Sequence, residues 1–312
     1  MLSPKLNPTV RFLLETLEAQ GDPPLESYSP VEARKVAEEG LKLVGGATEP
    51  LRSIENLRIP GPLGEIPIRV YTPETDAPRP ALLYFHGGGW VVCSLDTHDV
   101  VCSAIAHRAG AVVIAVDYRL APEHKFPAAV IDCYAATQWV AANAQKLGVD
   151  PKRISVGGDS AGGNLAAVMS LKSRDENGPA IAHQIMVYPV TDLSSFDTQS
   201  YREFGEDHYL TKKEMEWFRG HYLRSMDDAR NPEASPLLAK DLTRLPPALV
   251  ITAECDPLCD EGAAYAKRLQ EAGVPVTYTC YRGMIHPFFS LSGVLPQAFE
   301  ALDQVANAIA QP

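Results

Sequence analysis

Apolar residues along this chain follow two different spacings, and the two alternate over most of its length. Stretches with apolar residues three or four positions apart predict helices, and the short apolar runs between them predict buried strands. The predicted strands occupy residues 81–85, 111–116, 153–156, 183–188, 248–252 and 276–280. Strands and helices that alternate in this way predict an α/β protein with a mostly parallel central sheet flanked by helices.

The chain begins with two amphipathic helices, which come before the first strand. Apolar positions at helical spacing predict these helices over residues 9–19 and 30–44. Residues 53–59 and 66–70 follow with alternating apolar side chains, and a turn rich in glycine and proline separates them. This pattern predicts an antiparallel hairpin, so we expect the sheet to begin as a mixed sheet.

A long interval between two predicted strands interrupts the later part of the chain. Residues 191–240 contain a helix-like stretch from Thr211 to Arg224, and an interval of this length is typical of an insertion. We therefore expect four segments, namely an N-terminal helical segment at 1–50, a first part of an α/β core at 51–190, an insertion at 191–240 and a second part of the core at 241–312.

Two glycine-rich motifs lie directly after predicted strands. His86-Gly87-Gly88-Gly89-Trp90 follows the strand at 81–85, and Gly158-Asp159-Ser160-Ala161-Gly162-Gly163 follows the strand at 153–156 and opens a helix. The second motif fits G-x-S-x-G, the nucleophile elbow, in which a serine occupies a sharp turn between a strand and a helix. Because parallel strands end at the same edge of a sheet, we expect both motifs to face one site.

With three further motifs, this pair resembles the α/β-hydrolases, and more narrowly the hormone-sensitive-lipase-like carboxylesterases, also called bacterial lipolytic family IV. The resemblance covers about residues 50–310, and the three further motifs are Asp117-Tyr118-Arg119-Leu120-Ala121-Pro122-Glu123, Asp256-Pro257-Leu258 and Gly283-Met284-Ile285-His286. It implies an α/β-hydrolase fold whose N-terminal segment and insertion form a helical cap. It also implies a serine carboxylesterase for short- to medium-chain acyl esters, which works through an acyl-enzyme. Pro287 departs from the family, in which many members carry a small residue at this place.

A serine nucleophile needs a base, and the base needs an acid to hold its tautomer. His286 follows the last predicted strand through a glycine-containing turn and is the expected base. The acid should follow the strand at 248–252, where Glu254, Asp256 and Asp260 all occur. We expect Asp256, because Pro257 stiffens its turn and because it matches the acid motif of the resembling family. The chain order serine, aspartate, histidine is also the order of α/β-hydrolases.

Seven further histidines compete for the role of base. We expect His86 to hold the glycine loop by hydrogen bonding, since it lies directly before three glycines. The remaining six are interpreted as surface or helix residues, namely His98, His107, His124, His183, His208 and His221.

The backbone N–H groups of Gly88, Gly89 and Ala161 are expected to form an oxyanion hole, because glycine permits a close approach of the substrate. Trp90 and Tyr188 are tentative substrate contacts. Asp159, inside the elbow, is expected to have a structural role, because its side chain should point away from the exposed serine.

Composition restricts the partners. The formal net charge of −11 argues against binding to nucleic acid or to an anionic membrane surface. We find neither a run of about 20 apolar residues nor the apolar core of a secretory signal, which leads us to expect a cytoplasmic protein. The six cysteines lack metal-like spacing and are expected to be reduced core residues. No cofactor and no metal are predicted, because the expected serine mechanism needs neither. A small-molecule ester is the expected partner, and a homodimer could form through an exposed last strand near 276–280.

Two other functions are compatible with the motifs. An amidase or deacetylase, such as an arylformamidase-like enzyme, would use the same triad. A ligand-binding receptor on an inactive hydrolase fold is a third possibility, although the presence of His286 together with Ser160 and Asp256 argues against it.

Overall fold

An eight-stranded sheet forms the centre of the computed structural model, which describes residues 2–310. The strand order across the sheet is β1-β2-β4-β3-β5-β6-β7-β8. The first strand, β1, pairs antiparallel with β2, and β2 pairs antiparallel with β4, whereas all other neighbours are parallel. The strands are β1 (Ser53–Gly61), β2 (Gly64–Thr72), β3 (Arg79–Phe85), β4 (Val112–Val116), β5 (Val149–Asp159), β6 (Gln184–Val187), β7 (Ala248–Ala253) and β8 (Val276–Tyr281). The predicted mixed start and the mostly parallel remainder are both confirmed.

Helices cover both faces of this sheet. They are α1 (Pro8–Gln20), α2 (Pro30–Val44), α3 (Asp99–Ala109), α4 (Ala128–Ala142), α5 (Ala161–Asp175), α6 (Gln199–Phe204), α7 (Lys212–Tyr222), α8 (Cys259–Glu271) and α9 (Pro296–Ala310). Within residues 2–310, none of the helices combines the length and the apolar character that crossing a bilayer requires.

Alternation along the strands explains why both faces are covered. On β3, Leu82 and Tyr84 belong to the core that includes α3 and α9, whereas Leu83 and Phe85 belong to the core that includes α4, α5 and α8. All four side chains are buried. A strand with two buried faces is a continuous apolar run, which is the pattern that predicted it.

Local signals set the ends of the two leading helices. Ser29 accepts a hydrogen bond from the Glu32 N–H, and the Glu32 side chain bonds back to the Ser29 N–H, so α2 begins with a capping box. Gly21 ends α1 in the left-handed conformation, with a φ of 70°. A single turn of 3₁₀ helix, Leu25–Ser27, connects the two helices and contacts α7 of the insertion.

Candidate active site

Ser160 occupies the sharp turn between β5 and α5, with a φ of 55°. Its N–H donates to the carbonyl of Val187 on β6 over 2.8 Å. The flanking glycines allow this turn to pack, because a Cβ at Gly158 or at Gly162 would collide with the backbone carbonyl of Phe85 on β3. The strand, turn and helix predicted from the motif are therefore present, and they present the serine at the carboxyl edge of the sheet.

A continuous hydrogen-bonded chain links the serine to a buried carboxylate. His286 Nε2 lies 3.0 Å from Ser160 Oγ, and His286 Nδ1 lies 2.8 Å from Asp256 Oδ2. Asp256 is completely buried, and its other oxygen accepts a hydrogen bond from the Leu258 N–H. Because Nδ1 faces a carboxylate, it carries the proton, which leaves Nε2 free to accept the serine proton.

The other two candidate acids serve different purposes. Glu254 lies 2.8 Å from Arg282 and accepts a hydrogen bond from the Gly283 N–H, so it braces the turn that leads to His286. Asp260 accepts a hydrogen bond from the Ser200 N–H at the start of α6. The structure therefore brings Asp256 alone of these three carboxylates to the histidine.

The glycine loop after β3 lies beside Ser160. Gly88 and Gly89 adopt φ values of 100° and 57°, which residues other than glycine rarely adopt. The N–H groups of Val91 and Val92 both bond to the Gly88 carbonyl, which closes the loop into a tight turn. Among residues 2–310, none accepts a hydrogen bond from the N–H groups of Gly88, Gly89 or Ala161. These three donors are thus free for an oxygen atom next to Ser160.

Asp159 stabilises this glycine loop through hydrogen bonds. Its Oδ1 accepts hydrogen bonds from the Tyr84 hydroxyl at 2.7 Å and the Gly87 N–H at 3.0 Å, and it lies 3.2 Å from His98 Nε2. Burial opposes its ionisation, but His98 and the donors around it keep the pKa of Asp159 below its ordinary value. The carboxylate ties the loop to the elbow, in agreement with the structural role expected for it.

His86 also braces the loop. Its Nδ1 lies 2.7 Å from the Gly87 carbonyl oxygen, and its ring stacks on Tyr118 with centroids 4.4 Å apart. Burial lowers the pKa of His86 to about 3, so the ring stays neutral and donates from Nδ1. This arrangement matches the expectation that His86 acts by hydrogen bonding.

The interpretation of the other histidines as surface or helix residues was wrong for His208 and incomplete for His98. His98 ends a turn of 3₁₀ helix, Asp96–His98, but it is also buried next to Asp159 and lines the cavity at Ser160. His208 is also buried, and its Nε2 accepts a hydrogen bond from the Ser3 N–H. The local sequence does not indicate that either histidine is buried, because the residues that contact them come from distant parts of the chain.

A cavity of about 110 Å³ opens onto the serine. The sheet edge contributes Gly88, Gly89, Trp90, Ser160, His286 and Ser290 to its wall. Helices and turns outside the sheet contribute the opposite wall, which includes Leu25, Ala37, Leu41, Tyr209, Glu214 and Phe218. The sequence analysis anticipated helices in the N-terminal segment and in the insertion, but it assigned none of these six residues a role at the site.

The two tentative substrate contacts are placed differently. Trp90 lines the cavity, and its ring stacks on Tyr222 with centroids 4.1 Å apart. Tyr188 does not line it, and its buried ring packs against His286 with centroids 4.3 Å apart. The expected contact of Tyr188 with substrate is therefore corrected to a contact with the histidine.

No disulfide joins the cysteines, and all six are free. Residues 2–310 contain no cluster of three or more histidine, cysteine, aspartate or glutamate side chains that could hold a metal ion. At this edge of the sheet, hydrogen bonds connect the side chains of Ser160, His286 and Asp256.

The fold and this geometry are those of the α/β-hydrolases, and the family model for the alpha/beta hydrolase fold matches residues 82–290. The chain belongs to this family. It is 41% identical to the carboxylic ester hydrolase LipN of Mycobacterium tuberculosis over 292 residues, which cover 92% of this chain and 77% of that protein. It is 38% identical to the ethyl acetate hydrolase of Pseudomonas putida over 317 residues, with coverage of 98% and 99%.

A solved structure is also similar over nearly the whole chain. The esterase of the hyperthermophilic archaeon Pyrobaculum calidifontis superimposes with a TM-score of 0.93 at 44% identity and covers 98% of both chains. The comparisons confirm the predicted fold and the predicted carboxylic ester hydrolase. They favour the esterase over the amidase alternative.

Proposed function

We propose that Ser160, His286 and Asp256 hydrolyse short- to medium-chain acyl esters through an acyl-enzyme intermediate. The observation that carries this proposal is the unbroken hydrogen-bonded chain from Ser160 Oγ through His286 to the buried Asp256 carboxylate. Such a chain is the arrangement that converts a serine hydroxyl into a nucleophile.

Acylation begins when Ser160 Oγ attacks the ester carbonyl and its proton moves to His286 Nε2. Asp256 stabilises the imidazolium that forms, because it accepts the Nδ1 proton in a buried hydrogen bond. The negative charge that develops on the carbonyl oxygen is received by the N–H groups of Gly88, Gly89 and Ala161. The tetrahedral intermediate then collapses, and the Nε2 proton passes to the leaving alcohol.

Deacylation repeats these steps with water as the nucleophile. His286 Nε2 takes a proton from the water as its oxygen attacks the acyl carbonyl. The C–O bond to Ser160 then breaks, and the serine oxygen takes the proton back from the histidine. The products are a carboxylic acid and the free enzyme, and the cycle consumes neither a cofactor nor a metal ion.

A helical cap completes the proposed site. We propose that the cap consists of residues 1–50 and 191–240 and that it covers a core of residues 51–190 and 241–312. Support comes from the cavity wall opposite Ser160, which is built from the first segment by Leu25, Ala37 and Leu41 and from the insertion by Tyr209 through Phe218. In the proposed enzyme this wall contacts the acyl or alcohol part of the ester.

The preference for short chains is supported by the size of the cavity. Its volume of about 110 Å³ is small beside the roughly 300–1,000 Å³ of sites that enclose drug-sized ligands. A long acyl chain would therefore have to displace the cap helices, which makes long-chain lipase activity a poor fit.

A ladder of p-nitrophenyl esters from acetate to palmitate tests the proposal, with wild type and Ser160→Ala measured in parallel. We expect kcat/KM to be highest among the short and medium chains and to be lost in the variant. Highest activity toward palmitate would contradict the chain-length proposal, and undiminished activity in Ser160→Ala would contradict the proposed nucleophile.

Two further features of the enzyme are proposed. The outer edge of β8 is free of strand neighbours within residues 2–310, so a homodimer could form through paired β8 strands. The six free cysteines suit a reducing compartment, and we retain the cytoplasm as the proposed location. The net charge of −11 supports the absence of a nucleic-acid partner.

A further inference from the structure

Glu214 is an acidic side chain in the cap wall of the cavity. It lies in the first turn of α7 and shares the cavity with Ser160 and His286. Its neighbours along this wall are apolar and include Leu25, Leu41, Met215 and Phe218. A carboxylate is costly in such surroundings unless a partner compensates its charge.

Only one oxygen of this carboxylate has a partner within residues 2–310. Glu214 Oε2 accepts a hydrogen bond from the Thr211 N–H over 2.7 Å, and Thr211 Oγ1 accepts one from the Glu214 N–H, which forms a capping box. Oε1 receives no hydrogen bond from any described residue. The helix cap thus uses one oxygen of the carboxylate and leaves Oε1 as a free acceptor on a residue that lines the cavity.

The charges around Glu214 make this acceptor unusual. Glu26 lies on the turn that contacts α7, its charge acts on Glu214, and its Oε2 is buried without a partner among the described residues. Within residues 2–310 neither glutamate forms a salt bridge with a lysine or arginine. Burial, followed by the charge of Glu26, raises the pKa of Glu214 to about 7, although the Thr211 hydrogen bonds and His286 act in the opposite direction. The negative charges of Glu214 and Glu26 therefore influence each other, and no described lysine or arginine forms an ion pair with either of them.

We propose that Glu214 is a specificity-determining residue that binds an ammonium group carried by the acyl or alcohol part of the ester. An N–H donor with a positive charge would form a charge-assisted hydrogen bond with the free Oε1 and would be attracted by Glu26 as well. This inference rests on the proposed function, because the same cavity must hold the ester carbonyl at Ser160. Anionic esters should be excluded by the same two carboxylates.

Two pairs of esters with matched shapes test this proposal at pH 7.5. The first pair is 2-(dimethylamino)ethyl butanoate and 3-methylbutyl butanoate. In the alcohol part, the first ester carries a protonated nitrogen where the second has a C–H group. In the second pair, ethyl 4-(dimethylamino)butanoate is compared with ethyl 5-methylhexanoate, which places the same difference in the acyl part. The measured quantity is the ratio of kcat/KM for the ammonium ester to that for its neutral partner.

The variant Glu214→Gln isolates the charge, because glutamine also satisfies the capping box. Glu216→Gln is the matched control, since Glu216 is exposed on the same helix and its substitution changes the net charge equally. We expect the ratio in wild type and in Glu216→Gln to exceed the ratio in Glu214→Gln by about ten-fold for at least one pair.

Equal ratios in wild type and Glu214→Gln for both pairs would overturn the role of Glu214 while leaving the esterase intact. If Glu214→Gln does not fold, wild type alone decides the question, because a ratio at or below one in both pairs also overturns the proposal. Absence of hydrolysis of all four esters and of p-nitrophenyl butanoate would instead overturn the proposed function, and this inference with it.

Discussion

Ser160 has a φ of 55°, and a residue with a side chain in this conformation stores about 1–3 kcal/mol of strain. The surrounding residues hold the conformation. Gly158 and Gly162 have no Cβ to collide with Phe85, and the Val187 carbonyl fixes the Ser160 N–H. The strained conformation therefore directs Oγ away from the sheet edge, toward His286 and the free N–H groups of the glycine loop and the elbow.

Gly89→Ala should inactivate the enzyme without unfolding it. The new Cβ would collide with the Phe218 ring, and the left-handed φ of 57° would be strained. Since a proposed oxyanion donor would be displaced, we expect kcat for p-nitrophenyl acetate to fall by about 10²–10³. Gly273→Ala is the control, because Gly273 is also left-handed, with a φ of 82°, but has open space around it. Equal losses of kcat in the two variants would show that backbone strain, rather than the position of Gly89, causes the effect.

Glu214 should make the stability of the enzyme depend on pH. Its pKa of about 7 in the folded chain lies above the ordinary value of 4.5, so the folded chain retains a proton that the unfolded chain has lost. Stability from this group is therefore lost as the pH rises from about 4.5 to 7. Glu26, His286, Tyr209 and Thr211 are the polar or titratable groups around it.

In Glu214→Gln this loss should be absent. We measure the free energy of unfolding by urea denaturation. Between pH 5 and pH 8, this free energy should increase in Glu214→Gln relative to wild type by on the order of 1 kcal/mol, whereas Glu216→Gln should show the same pH dependence as wild type. A difference between Glu214→Gln and wild type that is the same at both pH values would argue against a titrating carboxyl at this position.

Among individual residues, the sequence predicted the meeting of those that lie at strand ends and missed those that reach the cavity through long-range contacts. Ser160, Asp256 and His286 each lie at a strand end, so their meeting could be expected before the structure was known. His98 and Glu214 reach the cavity through long-range packing, and Glu214 looks like an ordinary helix cap in sequence. Tyr188 was expected at the substrate because it ends a strand, yet its ring turns behind His286.

Among the elements, α2 is joined to two loops at the sheet edge through the side chain of Arg34. Arg34 donates from Nε to the Val91 carbonyl at 2.8 Å and from Nη2 to the Ala121 carbonyl at 2.9 Å, and it forms a two-point ion pair with Glu123. One guanidinium thus joins the helix that carries Ala37 and Leu41 to the loop that follows Gly89. A lysine cannot make this set of contacts.

Arg34→Ala should loosen this wall and widen the range of acyl chains. Because a partly buried charged donor is lost, we expect the free energy of unfolding to fall by about 1–3 kcal/mol. The ratio of kcat/KM for octanoate to that for acetate should rise several-fold, and Arg34→Lys should resemble Arg34→Ala. A loss of stability with an unchanged octanoate to acetate ratio would mean that α2 does not limit chain length.

The predicted elements agree with the observed ones wherever hydrophobic spacing alone defines them. Strand β5 begins at Val149, four residues before the predicted start, because Val149 already pairs with Arg79 of β3, and the pairing is then irregular until Ile154. Helix α6 was not predicted, since its six residues are too few to show a period. Long-range pairing and short helices therefore account for what the spacing could not predict.

At the scale of the whole molecule, the alternation of strands and helices predicted the sheet topology. It did not predict whether the chain forms a dimer. Tyr278 is partly exposed on β8, the edge strand. In a dimer with paired β8 strands, a residue near the twofold axis lies close to its own copy.

Tyr278→Lys should therefore dissociate such a dimer, because like charges would oppose each other across the pair. Light scattering after size exclusion should give about twice the chain mass for wild type and the single chain mass for Tyr278→Lys. Lys267→Glu, on the exposed surface of α8, controls for a change of charge away from this edge. A wild type that is monomeric at all concentrations would contradict the dimer.

The most direct test of the catalytic assignment is the mass of the intact protein after reaction with a p-nitrophenyl alkylphosphonate, which traps an active serine. Wild type should gain one phosphonyl group, release one equivalent of p-nitrophenol and carry the adduct on Ser160 after peptide mapping, whereas Ser160→Ala should gain none. An adduct on another residue, or full ester hydrolysis by Ser160→Ala, would contradict the assignment of Ser160 as the nucleophile.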